Sequence, residues 1–143
     1  YSKALNKHLV NVSYYEGDDF LLIDHKTAHI DTINGMPNFS PEKKRLISFY
    51  INPYNERKIN DEYVDTGDVE VYQTLDHELT AIVKESFDFI PIEIRWKDEN
   101  TIIIKAVNSI DYARNARTPG VTVDDLKNFI YKKIIIKEVK NKR

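Results

Sequence analysis

Alternation of apolar and charged residues constrains the fold of this chain more than any other feature. Between residues 91 and 97, three apolar residues (Ile92, Ile94, Trp96) alternate with three charged ones (Glu93, Arg95, Lys97). Side chains two residues apart in a strand share a face, so the pattern predicts a strand with one dry and one wet face. The polar turn at 98–100 and the apolar run at 101–107 then predict a hairpin.

The rest of the chain follows the same pattern. Further strands are predicted at 8–15, 20–24, 28–33, 45–51, 68–74 and 79–87. Long polar loops are predicted at 53–67 and 108–121, a brief helical turn at 122–127, and a closing strand from Phe129. The sequence therefore predicts an all-β, antiparallel domain of eight or nine strands. The predicted core includes Phe39, Leu46, Phe49, Ile92, Ile94 and Trp96.

Composition sets outer limits on the class of protein. A length of 143 residues and a hydrophobic fraction of 41% suit one domain, 1–143, with a core of its own. The chain has no cysteine, which excludes disulfides, thiolate metal sites and cysteine nucleophiles. Its longest apolar runs are far shorter than a transmembrane helix requires, so no membrane-spanning segment is predicted.

Charge is unevenly distributed along the chain. Residues 127–143 contain seven basic residues and one acidic residue, a net charge of +6, so the other residues carry −8 of the total of −2. A nucleic-acid-binding protein needs a basic face on its folded surface. An acidic body with a basic tail does not have this distribution, and no nucleic-acid partner is predicted.

Two segments resemble the repeats of β-propellers. The stretch 35–49, which contains Phe39-Ser40-Pro41-Glu42-Lys43, resembles the Phe-Ser-Pro-Asp-Gly-Lys turn of Tol-B-type and tryptophan–aspartate-type propellers. Lys43 stands where those repeats have glycine. The stretch 94–102 repeats the order of aromatic residue, acidic turn and apolar strand. The resemblance implies two propeller-like blades, and a small β-sandwich is the alternative architecture.

The same resemblance extends to an uncharacterised family of bacterial proteins that carry such repeats after a secretion signal. It implies a periplasmic or secreted location and a longer parent protein. It brings no catalytic residues with it.

No motif for catalysis, phosphate binding or metal binding is present. The chain has no Gly-x-Ser-x-Gly turn and no phosphate-binding loop, and His25 and His29 have no third ligand at a suitable spacing. The sequence therefore predicts no catalytic residue, no metal and no cofactor. The alternative is a hydrolase whose carboxylates meet only in the folded chain, for example Asp111 with Glu16 or Asp68.

A binding module is the preferred function, because exposed aromatic residues in polar loops can anchor a protein or stack on a glycan. The predicted binding residues are Tyr54, Tyr63 and Tyr112. Self-association is also expected, since the apolar runs 102–104 and 134–136 have apolar residues on both faces of a strand. The lysines of the C-terminal strand predict that it lies at a sheet edge and that the strand at 102–104 is central.

Overall fold

The fold is known from a computed structural model that describes residues 6–15, 17–75, 78–116, 118–120, 122 and 125–137. The side chains of residues 53, 54, 75 and 116 are not described. Strands make up 69% of the structure and helix 7%. The predicted all-β, antiparallel class is confirmed.

The described residues form ten strands and one α-helix in three open antiparallel sheets. The N-terminal sheet contains β1 (Lys7–Tyr14), β2 (Gly17–Asp24) and β3 (Ile30–Asn34) in that order. The central sheet contains β4 (Asn38–Phe39), β5 (Arg45–Ile59), β6 (Glu62–Leu75) and β7 (Glu78–Phe87). The C-terminal sheet contains β8 (Phe89–Asp98), β9 (Thr101–Asn108) and β10 (Phe129–Ile135), with β9 in the middle. The central position predicted for the strand at 102–104 is confirmed, as is the edge position of β10.

The N-terminal and central sheets pack face to face. Their shared cluster of buried residues consists of Leu22, Ile33, Leu46 and Tyr72. The chain crosses between them at Gly35, where φ is +79° and a Cβ would lie 2.0 Å from the carbonyl oxygen of Phe49. Only glycine fits this crossing, because both the backbone angle and the space exclude a side chain.

The C-terminal sheet covers the opposite face of the central sheet. Buried residues of the central sheet meet buried residues of the C-terminal sheet in one cluster, which contains Ile47, Val69, Val71, Phe89, Ile94, Ile102, Ile104 and Ala106. The sheets approach closely at Gly67, where a Cβ would lie 2.2 Å from the carbonyl oxygen of Phe89. The three sheets therefore stack in chain order, with the central sheet covered on both sides.

The two segments that resemble propeller repeats contact each other. The Ser40 hydroxyl donates a hydrogen bond to Glu99 Oε1 (2.5 Å), and Glu99 Oε2 accepts one from the Glu42 amide (2.9 Å). The Arg45 guanidinium donates to the Glu99 carbonyl oxygen (2.7 Å). Trp96 Nε1 donates to the carbonyl oxygen of Asn38 (3.1 Å). These bonds join the β4–β5 turn to the β8–β9 turn.

Lys43 occupies the left-handed position of the β4–β5 turn. Its φ is +57°, and its amide donates to the Ser40 carbonyl oxygen (2.9 Å). This is the conformation for which glycine is preferred. Lys43 thus has a backbone geometry that glycine adopts more readily than lysine.

The predicted loop at 53–67 is wrong. These residues extend β5 and β6 into a long hairpin whose two-residue turn is Asn60-Asp61, with φ of 49° and 64°. Positive φ at both turn residues is typical of a type I′ turn, which Asn and Asp tolerate. The polar side chains here belong to an exposed strand pair, so polarity alone does not indicate a loop.

The predicted loop at 108–121 is also wrong over most of its length. It contains the helix α1 (Ser109–Ala116), which Asn108 caps by accepting a hydrogen bond from the Ile110 amide (2.8 Å). The region 122–127, where a helical turn was predicted, falls partly outside the described residues.

The predicted core residues pack into the buried clusters, but one of them, Ile92, lies in a different cluster from the others. Leu46 and Ile94 are buried, and Phe39, Phe49 and Trp96 pack against the clusters from their edges. Ile92 belongs to a different cluster, around Ile90, Val107 and Leu126. A register shift between Pro91 and Glu93 causes this, because a bulge breaks the strict alternation of faces.

Candidate functional site

The outer face of the C-terminal sheet carries a cleft of about 250 Å³. It is lined by Glu93, Arg95, Ile103, Lys105 and Tyr131. The strand register places Glu93, Lys105 and Tyr131 side by side across the three strands. Since alternate residues of a strand share a face, these side chains point away from buried Ile102 and Ile104.

Tyr131 is the most exposed aromatic side chain of this cleft, at 69% of its maximum. It lies on β10, an edge strand, opposite Lys105 of β9. A tyrosine ring in this position presents an apolar surface with a hydroxyl group at its tip, which suits contact with a partner.

The cleft has a net positive charge. Arg95 Nε donates to Glu93 Oε1 (2.5 Å), so these two charges largely compensate each other. The Lys105 ammonium lies 3.7 Å from the centre of the Phe129 ring, a cation–π contact. Lys133 lies in the neighbouring row, opposite Ile103. Among these residues three cations (Arg95, Lys105, Lys133) outnumber one carboxylate (Glu93), so the cleft and the row beside it are positively charged.

A second polar cluster lies in the central sheet, and it is buried. Asp68 accepts hydrogen bonds from Asn52 Nδ2 (2.8 Å) and Thr66 Oγ1 (3.3 Å). Burial alone would raise the pKa of Asp68, but hydrogen bonds from Ser86, Asn52, Tyr50 and Thr66 outweigh it and hold that pKa below its ordinary value. Asp68 is therefore an ionised carboxylate at neutral pH.

Glu70 lies two residues along the same face of β6. Its carboxylate accepts from the Tyr72 hydroxyl (2.6 Å) and pairs with the Lys84 ammonium (3.1 Å). Burial, followed by the hydrogen bond to Asp68, raises the pKa of Tyr50 to about 12. Burial and the bond to Glu70 raise the pKa of Tyr72 as well. With Asp68 ionised and both tyrosines protonated, this row stabilises the sheet through paired hydrogen bonds.

Folding brings His25 next to His8, and not next to His29, which is four residues away in sequence. His25 lies next to His8, with 3.3 Å between His25 Nδ1 and His8 Nε2, while His29 Nε2 lies 3.4 Å from Asp31 Oδ1. Within the described residues, no group of three or more His, Cys, Asp or Glu side chains could hold a metal ion.

Tyr63 and Tyr112, two of the three tyrosines predicted to bind a partner, do not line the cleft. Tyr63 is 59% exposed near the end of the long β5–β6 hairpin. Tyr112 lies on α1 and packs against Ile90 and Val107, and its burial raises its pKa. The side chain of Tyr54 lies outside the described residues. The role of these tyrosines in binding stays a prediction.

Sequence reasoning missed the cleft because it treated the C-terminal strand as an edge protected by lysines. The available signal was the alternation in β10, where Ile130 and Ile134 share one face while Tyr131 and Lys133 share the other. Tyrosine is enriched at interfaces because its ring is apolar and its hydroxyl is polar, so Tyr131 on the charged face of β10 was the residue that indicated a contact.

None of the described helices is long and apolar enough to cross a membrane. No protein-family model matches the chain, and no curated protein or solved structure shows significant similarity to it.

Proposed function

We propose that this chain is a non-catalytic interaction module whose C-terminal sheet binds an acidic segment of a protein partner. The observation that carries this proposal is the cleft in which Tyr131, exposed at 69%, lies beside Lys105 and Arg95. Tyrosine and arginine are the side chains that most often dominate the energetics of protein interfaces.

The size of the cleft supports a protein partner. Its volume of about 250 Å³ is below the range of about 300–1,000 Å³ typical of small-molecule pockets. It lies on a sheet face, where a partner can also contact Ile103 and the exposed Ile135. A shallow site with a central aromatic residue and a charged rim is typical of protein interfaces.

The charge of the face supports an acidic partner. Positively charged side chains attract carboxylates, and Arg95 and Lys105 line the same cleft. Nucleic acid is a weaker candidate, because specific binding commonly uses about six to ten phosphate contacts. The cleft and the neighbouring row offer three cations, Arg95, Lys105 and Lys133.

Fluorescence anisotropy with a fluorescein-labelled peptide of alternating glutamate and leucine tests the proposal. We expect the wild-type chain to bind the peptide with an affinity that falls as salt concentration rises. Tyr131→Ala and Lys105→Gln should each raise the dissociation constant about tenfold. Both side chains lie on the outer face, so circular dichroism should show an unchanged fold.

Tyr63→Ala is the matched control, because Tyr63 is exposed to a similar degree and lies away from the cleft. Its dissociation constant should equal that of the wild type. Loss of binding in Tyr63→Ala with retention in Tyr131→Ala would move the site to the hairpin and overturn the proposal. Tighter binding of a labelled oligothymidylate than of the peptide would overturn the assignment of an acidic protein partner.

A further inference from the structure

The outer face of the N-terminal sheet is exposed and largely apolar, with Thr32 and Asn34 of β3 among its polar residues. Its apolar residues are Val10, Val12 and Tyr14 on β1, Leu21 and Ile23 on β2, and Ile30 on β3. Four of them remain substantially exposed: Val10 at 39%, Val12 at 38%, Tyr14 at 53% and Ile30 at 53%.

These residues form one continuous surface. The register places Val10 opposite Leu21 and Ile23 opposite Ile30, and all of them point away from buried Leu22. An antiparallel sheet that meets water on one face usually carries polar residues there. A continuous apolar face instead indicates a surface for association.

The two ends of this face carry complementary groups. At one end, Asp19 is paired with Val12 across the strands and accepts a hydrogen bond from the Tyr14 hydroxyl. At the other end, the rings of His8 and His25 lie together, with centroids 5.5 Å apart. A carboxylate accepts hydrogen bonds and an imidazole N–H donates them, so each end suits the opposite end of a second copy.

We propose that the outer face of the N-terminal sheet is a self-association surface, on which two copies of this chain pack face to face with their strands antiparallel. The two-fold axis lies between the two sheets, parallel to their planes and perpendicular to the strands. It places Asp19 of each copy opposite His8 and His25 of the other. A parallel arrangement would place Asp19 against Asp19, which is unfavourable. The two contacts inside the chain, between successive sheets, are the same kind of face-to-face packing.

The dimension of the face sets the expected strength of the dimer. Three strands at ~4.8 Å spacing and eight residues at ~3.4 Å rise give a face of about 14 Å by about 27 Å. A standard stable interface buries about 800 Å² of each partner, roughly twice the flat area of this face. The dimer is therefore weak and depends on concentration.

Sedimentation velocity over a concentration series tests this proposal. The wild-type sedimentation coefficient rises with concentration, while Val12→Lys sediments as a monomer throughout. Ile82→Lys is the matched control, because Ile82 on β7 has the same exposure of 38% and lies on another sheet. It should associate as the wild type does. A wild-type chain that stays monomeric up to its solubility limit, or a Val12→Lys chain that associates normally, would overturn the proposal.

A charge exchange tests the antiparallel arrangement. Asp19→Lys should raise the dimer dissociation constant about tenfold, and the double variant Asp19→Lys/His8→Glu should restore the affinity. In a parallel dimer the double variant would place like charges together and would not restore it. Val12→Lys should leave binding of the glutamate–leucine peptide unchanged, so failure of the dimer and failure of the proposed binding function remain distinguishable.

Discussion

The outer faces of the N-terminal and C-terminal sheets lie at opposite ends of one stack of sheets, and they differ in chemistry. The first has a centre of aliphatic side chains such as Val10, Val12 and Ile30. The second has an exposed tyrosine, Tyr131, among charged neighbours such as Arg95 and Lys105. An apolar face gains free energy when another apolar face covers it, whereas a charged face with one aromatic ring favours a polar partner. The same sheet architecture thus presents two different kinds of surface.

The largest effects should come from residues on the inner faces of the two end sheets. Ile104→Ala and Leu22→Ala each remove a fully buried side chain, so each should lower the free energy of unfolding by about 2–5 kcal/mol. Their neighbours Ile103 and Leu21 point outward and are half-buried, and Ile103→Ala and Leu21→Ala should cost about 1 kcal/mol. Urea denaturation measures all four. Equal losses for inner and outer neighbours would contradict the stacked arrangement.

A smaller loss of stability is expected when a side chain is added where the central and C-terminal sheets approach closely. Gly67→Ala would place a Cβ 2.2 Å from the Phe89 carbonyl oxygen and 2.6 Å from Pro91 Cδ, and the resulting shift should cost about 1–3 kcal/mol. Gly17→Ala is the control, because no atom lies within 4 Å of the added Cβ. Thermal unfolding should show a lower midpoint for Gly67→Ala alone. An unchanged midpoint would mean that the sheets are farther apart than described.

How much of this stack the sequence predicts depends on how regular each strand is. The hairpin of β8 and β9 was predictable because apolar and charged residues alternate along the sequence from Ile92 to Lys97 and a polar turn follows, and the central position of β9 followed from its run of isoleucines. The extension of β5 and β6 was not predictable from the sequence, because polar residues in an exposed strand pair have the same composition as a loop. Its one local signal was Asn60-Asp61, a pair that tolerates the positive φ of a type I′ turn.

The candidate site was less predictable than the fold. Tyr131 joins Glu93 and Lys105 only through strand pairing, and these residues are far apart in sequence. The bulge at Ile92 likewise changes the buried cluster to which that residue belongs. A bulge adds a single residue to a strand, so the composition of the sequence does not reveal it. Position in a sheet therefore decides which residues form the candidate site more than any sequence motif does.

The β4–β5 turn, which is hydrogen-bonded to the β8–β9 turn of the C-terminal sheet, offers a stabilising substitution. Lys43→Gly removes the cost of a left-handed backbone at a residue with a Cβ, so the free energy of unfolding should rise by about 0.5 kcal/mol after the entropy cost of glycine. Lys44→Gly at the next position should lower it, since Lys44 has no positive φ. Chemical denaturation of the two variants measures the difference. Destabilisation by Lys43→Gly would contradict the turn geometry.

The smallest expected effect is the loss of folding stability at low pH. It compares a carboxylate of the N-terminal sheet with one of the C-terminal sheet. A hydrogen bond from the Thr27 amide, with others from the Lys26 amide and the Thr27 hydroxyl, lowers the pKa of Asp24 to about 2. A group whose pKa is lowered by folding stabilises the fold above its unfolded pKa, so this contribution is lost as pH falls from about 4 to about 2. Asp24→Asn should therefore be less stable than the wild type at neutral pH and equal to it near pH 2.

Asp98 is the corresponding carboxylate in the C-terminal sheet. A hydrogen bond from the Asn100 amide lowers its pKa in the same direction, and Asp98 is exposed where Asp24 is buried. Asp98→Asn should show a weaker pH dependence of the same sign. Unfolding midpoints measured at a series of pH values compare the two. A pH dependence of opposite sign in Asp24→Asn would contradict the hydrogen bonding at this turn.

The most direct test of two distinct end faces is a pair of titrations followed by amide and methyl NMR shifts on one assigned sample. Raising the protein concentration should shift signals of the N-terminal sheet, above all Val10, Val12 and Ile30. Adding the glutamate–leucine peptide to dilute protein should shift signals around Lys105 and Tyr131. The account predicts two sets of shifts that do not overlap. Shifts of the same residues in both titrations, or peptide-induced shifts confined to the N-terminal sheet, would contradict it.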